Sequence, residues 1–271
     1  MSQTNKASNT RKIAEAAVML AVATVLSMIK LLDLPYGGSV TIGSLLPIII
    51  ISYRHGVKFG LLTGFVFGII QQLLGLDTLS YVTTWQSVIA VIFLDYLIAF
   101  MLIGFGGAFK KFKSQPNALM IGTIAVCGMR YICHVISGAT VWAGLSIPTN
   151  AALLYSIGYN ATYMIPETIV TAALAYYIGS ILDFRNDSIS RFSKPERPEV
   201  PALKWLGGFI IIAAIAFDVR TIFLHLQNGE TGEFYVMGFA SVNWGLIALV
   251  SIVAIISSTV LISVSSKNYS D

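Results

Sequence analysis

Residues 84–108 read TWQSVIAVIFLDYLIAFMLIGFGGA, a run of 25 residues with a single charged side chain, Asp95. Wound as an α-helix the run spans about 37 Å at 1.5 Å per residue, more than the roughly 30 Å of hydrocarbon in a bilayer. A carboxylate at that depth is costly and usually faces a cavity or a partner. One stretch therefore sets the fold class and the first candidate functional group.

The same pattern recurs on both sides. Apolar runs and loop punctuation predict helices near 13–32, 40–53, 57–75, 84–108, 118–142, 151–182, 204–226 and 236–264. Of 271 residues, 56% are hydrophobic and 11% charged, whereas soluble domains carry about 25% charged residues. The expectation is an all-α polytopic membrane protein of about eight spans. The run 13–32 follows Arg11 and Lys12, and with no clear small-residue cleavage site after it, it reads as a retained first helix. The second run is short and opens on Gly37 and Gly38, which suggests a loop at membrane depth, tolerated only where protein shields it.

Basic residues fall on alternate loops: Arg11 and Lys12, Arg54 and Lys58, Lys110 to Lys113, Arg185 to Arg197, and Lys267. The loops between hold Asp33, Asp77, Glu230 and Glu233, with Lys30 the nearby base. The positive-inside rule then places both termini in the cytoplasm. It also accounts for the net charge of +4 without nucleic acid. The polar, proline-bearing segment 185–202 reads as a cytoplasmic linker between a membrane domain of residues 1–184 and a hairpin of residues 203–271.

Asp95, Arg130, Glu167, Asp218 and Arg220 are the charges inside predicted spans, and His134 is the histidine in the middle of one. Counted from the external helix ends at 1.5 Å per residue, Asp95 lies about 16 Å deep, His134 about 12 Å, Arg130 about 18 Å and Asn160 about 14 Å. Tyr155 is shallower, at about 6 Å, and Trp142 stands at the mouth. This predicts a polar floor with an aromatic entrance that opens outward. An acid, an amide and aromatic faces suit a cationic, nitrogen-rich aromatic ligand.

Each group also has a plainer reading. Asp95 and Arg130 would neutralise one another across two helices. Tyr155, Tyr159, Tyr163, Tyr176 and Tyr177 would serve as interfacial or packing residues. Glu167 follows Pro166 about 24 Å deep and reads as structural, satisfying backbone that the proline frees. Cys127 and Cys133 lie six residues apart on one predicted helix, about 9 Å, too far for a disulfide. They read as apolar fillers, and no metal site is expected.

No phosphate-binding Gly-x-x-x-x-Gly-Lys-[Ser/Thr] loop, His-Glu-x-x-His zinc motif or Gly-x-Ser-x-Gly nucleophile turn occurs. Catalysis has little support, no cofactor is implied, and energy for uptake has to come from an ion gradient or another subunit. Ala14, Ala17 and Ala21 give the first helix a small-x-x-x-small face for a second helix, inside this chain or on a partner.

Four stretches carry a family resemblance: Pro35-Tyr-Gly-Gly-Ser-Val-Thr, Phe93-Leu-Asp-Tyr-Leu-Ile-Ala-Phe, Arg130-Tyr-Ile-Cys-His-Val-Ile-Ser-Gly with Trp142 eight residues after His134, and Tyr155-Ser-Ile-Gly-Tyr-Asn. Over about residues 11–184 the chain resembles the thiamin-specific S components (ThiT/YuaJ family) of energy-coupling factor transporters. The resemblance implies a six-helix substrate-binding subunit, driven by a shared transmembrane coupling subunit and two ATPase subunits. It implies that Asp95 faces the aminopyrimidine, that Trp142 stacks, and that His134, Tyr155 and Asn160 contact the ligand, while Tyr96 and Arg130 match weaker positions of the family; Tyr159, beside Asn160, is a further candidate contact. It makes Ala17 and Ala21 the docking motif. Some members carry glutamate where Asp95 stands and tryptophan where Gly38 stands, so Tyr36, Tyr81 or Trp85 is expected to supply the missing aromatic wall, and the ligand is thiamin or a close relative. The last 80 or so residues have no counterpart in that six-helix fold.

Two other functions stay open at this level. One is a self-sufficient carrier of a small organic cation, driven by protons through Asp95 and Glu167. The other is an intramembrane enzyme using Asp95, His134 and Glu167, which a depth spread of about 12 Å argues against.

Overall fold

The computed structural model describes residues 2–34, 37–82, 84–111, 114–142, 152–192, 202–225 and 236–267. They form two units, Met1–Phe192 and Ser193–Asp271. Of the expected positions, Tyr36, Glu230, Glu233 and linker residues 193–201 lie outside the described residues.

In the first unit, α1 (Ser2–Met28) runs into an antiparallel pair, β1 (Lys30–Asp33) and β2 (Ser39–Thr41). This corrects the expectation of helix over 29–32 and 40–45. Gly37 and Gly38 take φ values of +88° and +107°, a region that costs glycine little and other residues much. The chain turns back there, and the Leu34 N–H donates to the Gly38 carbonyl at 2.9 Å. Strand pairing satisfies the backbone groups that a helix would otherwise have satisfied.

Helix α2 (Leu46–His55) follows, with Pro47 in its first turn and Gly56 at φ +93° closing it. Its ten residues cover only about 15 Å, so it does not cross a bilayer by itself. Leu46 to Tyr53 are all buried, so protein encloses this short rod.

Next come α3 (Val57–Leu74), a 3₁₀ turn (Leu76–Tyr81) and the run that opened the sequence reading, α4 (Trp85–Lys111). Within α4 the winding changes. It is α-helical to Val91, π-helical over Ile92–Ile98 and 3₁₀ over Leu102–Lys111. Gly60, Gly64 and Gly68 recur at four-residue spacing on the α3 ridge that meets α4. A Cβ added at these positions would lie 2.8 Å from the Gly104 carbonyl oxygen, 2.5 Å from that of Phe100 and 2.9 Å from that of Tyr96. The two backbones touch, which a larger residue would prevent. Helices α5 (Gln115–Thr140) and α6 (Ala152–Ile181) pack along one another, and a short β3–β4 pair (Leu182–Asp183 with Ser190–Arg191) closes the unit. Leu45, Ile49, Tyr53, Phe67, Phe100 and Leu119 belong to its core. Cys127 and Cys133 are buried free thiols.

The second unit is a pair of packed helices, α7 (Ala202–His225) and α8 (Trp244–Lys267). Ser251 Oγ donates to Asp218 Oδ2 at 2.6 Å between them. Among the described residues five helices are long and apolar enough to cross a membrane: Val57–Leu74, Trp85–Lys111, Gln115–Thr140, Ala152–Ile181 and Trp244–Leu261.

Candidate functional site

A cavity of about 590 Å3 lies inside the first unit, lined by α3, α4, α5 and α6 and by the β1–β2 segment. That volume suits a small organic molecule. The π-helical turns of α4 carry Asp95 and Tyr96 to its wall. A π turn inserts an extra residue and re-aims the side chains around it.

Asp95 organises one end. Its Oδ1 lies 2.9 Å from His134 Nδ1, and its Oδ2 accepts from Ser137 Oγ at 2.6 Å and from Trp142 Nε1 at 3.3 Å. This corrects the Asp95–Arg130 pairing that the sequence allowed. His134 and Ser137 stand three residues apart on one face of α5 and take the carboxylate instead. With Nδ1 turned to Asp95, the ring's second nitrogen, Nε2, is left for another group. That nitrogen is buried and has no partner among the described residues.

Trp142 corrects the depth count. It is 8% exposed and bonded to Asp95, whereas straight helices would hold the two about 16 Å apart. Helix α5 ends at Thr140, and the next turn carries Trp142 back over the chamber, with its N–H on the Ser137 carbonyl at 3.4 Å. Tyr81 faces it, ring centroids 6.5 Å apart.

Asn160 is spent on architecture. Its Nδ2 donates to the carbonyls of His134 and Ser156 at 3.2 and 2.9 Å, and its Oδ1 accepts from the Tyr163 hydroxyl at 2.7 Å. It lines the cavity while tying α5 to α6. Tyr159 lines the cavity as well and donates to the Gly37 carbonyl at 2.8 Å, fastening the β1–β2 turn to α6. Tyr96 shares a 3.0 Å hydrogen bond with Thr78 Oγ1.

One turn from His134 on α5, Arg130 stacks over the Phe100 ring, 4.5 Å from its centroid. It belongs to none of the ion pairs found, and its buried Nε has no partner among the described residues. Glu167 is 2% exposed and lines the cavity as well. Its carboxylate accepts from the Thr41 N–H and hydroxyl, both at 2.8 Å. The backbone it satisfies is thus that of β2, in place of the expected backbone freed by Pro166.

Two expected contacts do not reach the cavity. Trp85, the first residue of α4, is 69% exposed and lies outside the lining, and Tyr155 is buried in protein outside it. The aromatic beside Gly38 is Tyr163, whose ring would lie 2.9 Å from a Cβ placed there. The sequence reading missed Thr41 and Tyr163 as cavity residues and Ser137 as a donor to Asp95. Ser137 and Tyr163 each sit three residues beyond a residue that reading chose, His134 and Asn160, and helical spacing alone would have found them. Ala17 and Ala21 are exposed on α1.

The thiamine transporter protein (Thia_YuaJ) family model matches residues 13–183. The chain belongs to this family. The thiamine transporter ThiT of Bacillus subtilis is 34% identical over 184 residues, 62% of this chain and 90% of the relative. ThiT of Lacticaseibacillus paracasei is 27% identical over 180 residues, 59% of this chain and 82% of the relative. The structure of ThiT from Listeria monocytogenes superposes with a TM-score of 0.53 at 22% identity, covering 64% of this chain and 94% of that one, and shows a shared fold. Like its family, this is a multi-pass protein of the cell membrane. The match covers the cavity-bearing unit and stops before the α7–α8 pair.

Proposed function

We propose that the chain captures thiamin in the cavity of its first unit and delivers it for uptake as an S component. The observation that carries this reading is the Asp95–His134–Trp142 cluster, with His134 Nε2 left without a partner among the described residues. Thiamin is a cation with an aminopyrimidine at one end and a hydroxyl at the other. Its amine donates to His134 Nε2 beside the Asp95 carboxylate, and its rings lie against Trp142 and Tyr81. The hydroxyl turns to Arg130. Formally, Asp95 and Glu167 against Arg130 leave the chamber one negative charge, complementary to the ligand. Lys30 and Asp33 line the same cavity and neutralise one another at 3.0 Å, while Asp77 adds to the negative field.

On this reading the cavity opens to the outside, and the exposed Ala17 and Ala21 face takes a transmembrane coupling subunit that two ATPases drive. Small molecules released from gently purified protein and identified by mass spectrometry test the ligand directly. Thiamin at near-stoichiometric yield supports the reading, and a different resident molecule overturns it. Reconstituted vesicles test the energy source. Uptake that needs ATP and partner subunits supports an S component, whereas uptake by this chain alone, abolished by collapsing the proton gradient, would favour a proton-driven carrier.

A further inference from the structure

We propose that α2 acts as a strut reporting the state of the cavity to the base of α1. The proposal rests on the ligand cavity described above and concerns what occupancy does elsewhere. At the cavity end, Thr41 holds the Glu167 carboxylate through both its N–H and its hydroxyl, and Ser44 lies 2.8 Å from the same hydroxyl. All three residues line the cavity. Helix α2 begins two residues later and is enclosed from Leu46 to Tyr53. Midway it is pinned to α4: Ser52 Oγ donates to the Gly104 carbonyl and accepts the Gly107 N–H at 3.0 Å.

At the far end α2 delivers Arg54 and His55 to Glu15 of α1. All five Arg54 donors are used. Nε and Nη2 take the two Glu15 oxygens, while Nη1 takes the carbonyls of Phe184 and Asn186 and Nη2 that of Asp187. The side chain is 4% exposed. Such a fork has no slack, so a shift of α2 moves α1 with it. Ala17, on the exposed face of α1, lies two residues from Glu15. A rigid element joining two sites couples them only when both bias its position. The cavity floor and the α1 base are the two ends of this one.

Hydrogen–deuterium exchange on the full chain, with and without thiamin, tests the proposal. In the unaltered protein thiamin is expected to slow exchange about threefold or more both at residues 41–45 and at residues 11–20. In Glu15→Gln, thiamin should bind with affinity within about threefold of the unaltered protein and still protect 41–45, with the protection at 11–20 lost. Arg54→Lys should give the same pattern if the first variant does not fold. A purely structural clamp would lower the melting temperature and leave the response at 11–20 in place, which overturns the proposal. So does binding by the unaltered protein without any change at 11–20. Absence of thiamin binding overturns the functional reading itself, and the proposal with it.

Discussion

Two arginines of the first unit show how differently one side chain is used. Arg54 has five donors and five acceptors, is 4% exposed, and ties α1 to α2 and to residues 184–187. Arg130 lies over a phenyl ring beside a cavity, and its Nε has no partner among the described residues. A fully paired buried charge specifies architecture, whereas an unpaired polar group is a cost the fold alone does not recover. The comparison separates a side chain that the fold uses in full from one that the described fold uses in part.

The largest expected effect lies at the paired arginine. Arg54→Met takes the guanidinium from Glu15 and leaves it His55 as partner; it should cost about 3 kcal/mol of stability, read as a lowered melting temperature in detergent. A melting temperature near that of the unaltered protein would break the contrast between the two arginines. Next comes the α3–α4 seam. Gly64→Leu drives a side chain into the Phe100 carbonyl and should cost about 1–3 kcal/mol, with weaker ligand binding as the π turn bearing Asp95 shifts. Arg130→Met should reverse the pattern of Arg54: melting is unchanged or raised, while thiamin affinity falls about tenfold, or roughly 1.4 kcal/mol, by isothermal titration. The smallest effect belongs to the second unit, where Ser251→Ala removes one interhelical hydrogen bond worth about 0.6 kcal/mol. Its melting should barely change and its thiamin affinity should be untouched.

Much of the fold was legible because hydrocarbon solvation leaves few alternatives. The runs at 84–108, 118–142 and 151–182 read as helices and are helices, with ends moved by a few residues. The β1–β2 pair was hidden because strands of three and four residues carry no period, and the φ values of Gly37 and Gly38 show only in three dimensions. Asp95, His134 and Asn160 were legible as one layer because each is a polar group in an apolar run, and the fold brings them together. Their partners were harder to see. Nothing local says that Glu167 will meet Thr41, 126 residues away, or that a π turn will aim Asp95 at Ser137. The Gly60, Gly64, Gly68 spacing was in plain view, and helix-packing rules would have paired α3 with a close neighbour.

The central claim is that Asp95 and its donors form the head of a thiamin site. Thiamin titrated into purified protein, followed by quenching of tryptophan fluorescence, measures it most directly, with Asp95→Ala and Trp142→Ala beside the unaltered chain. The account predicts saturable quenching by the unaltered protein and a loss of about 2–3 kcal/mol, roughly 30- to 150-fold in affinity, for Asp95→Ala, read by calorimetry where the quenching residue is removed. Equal affinity in all three proteins would contradict it.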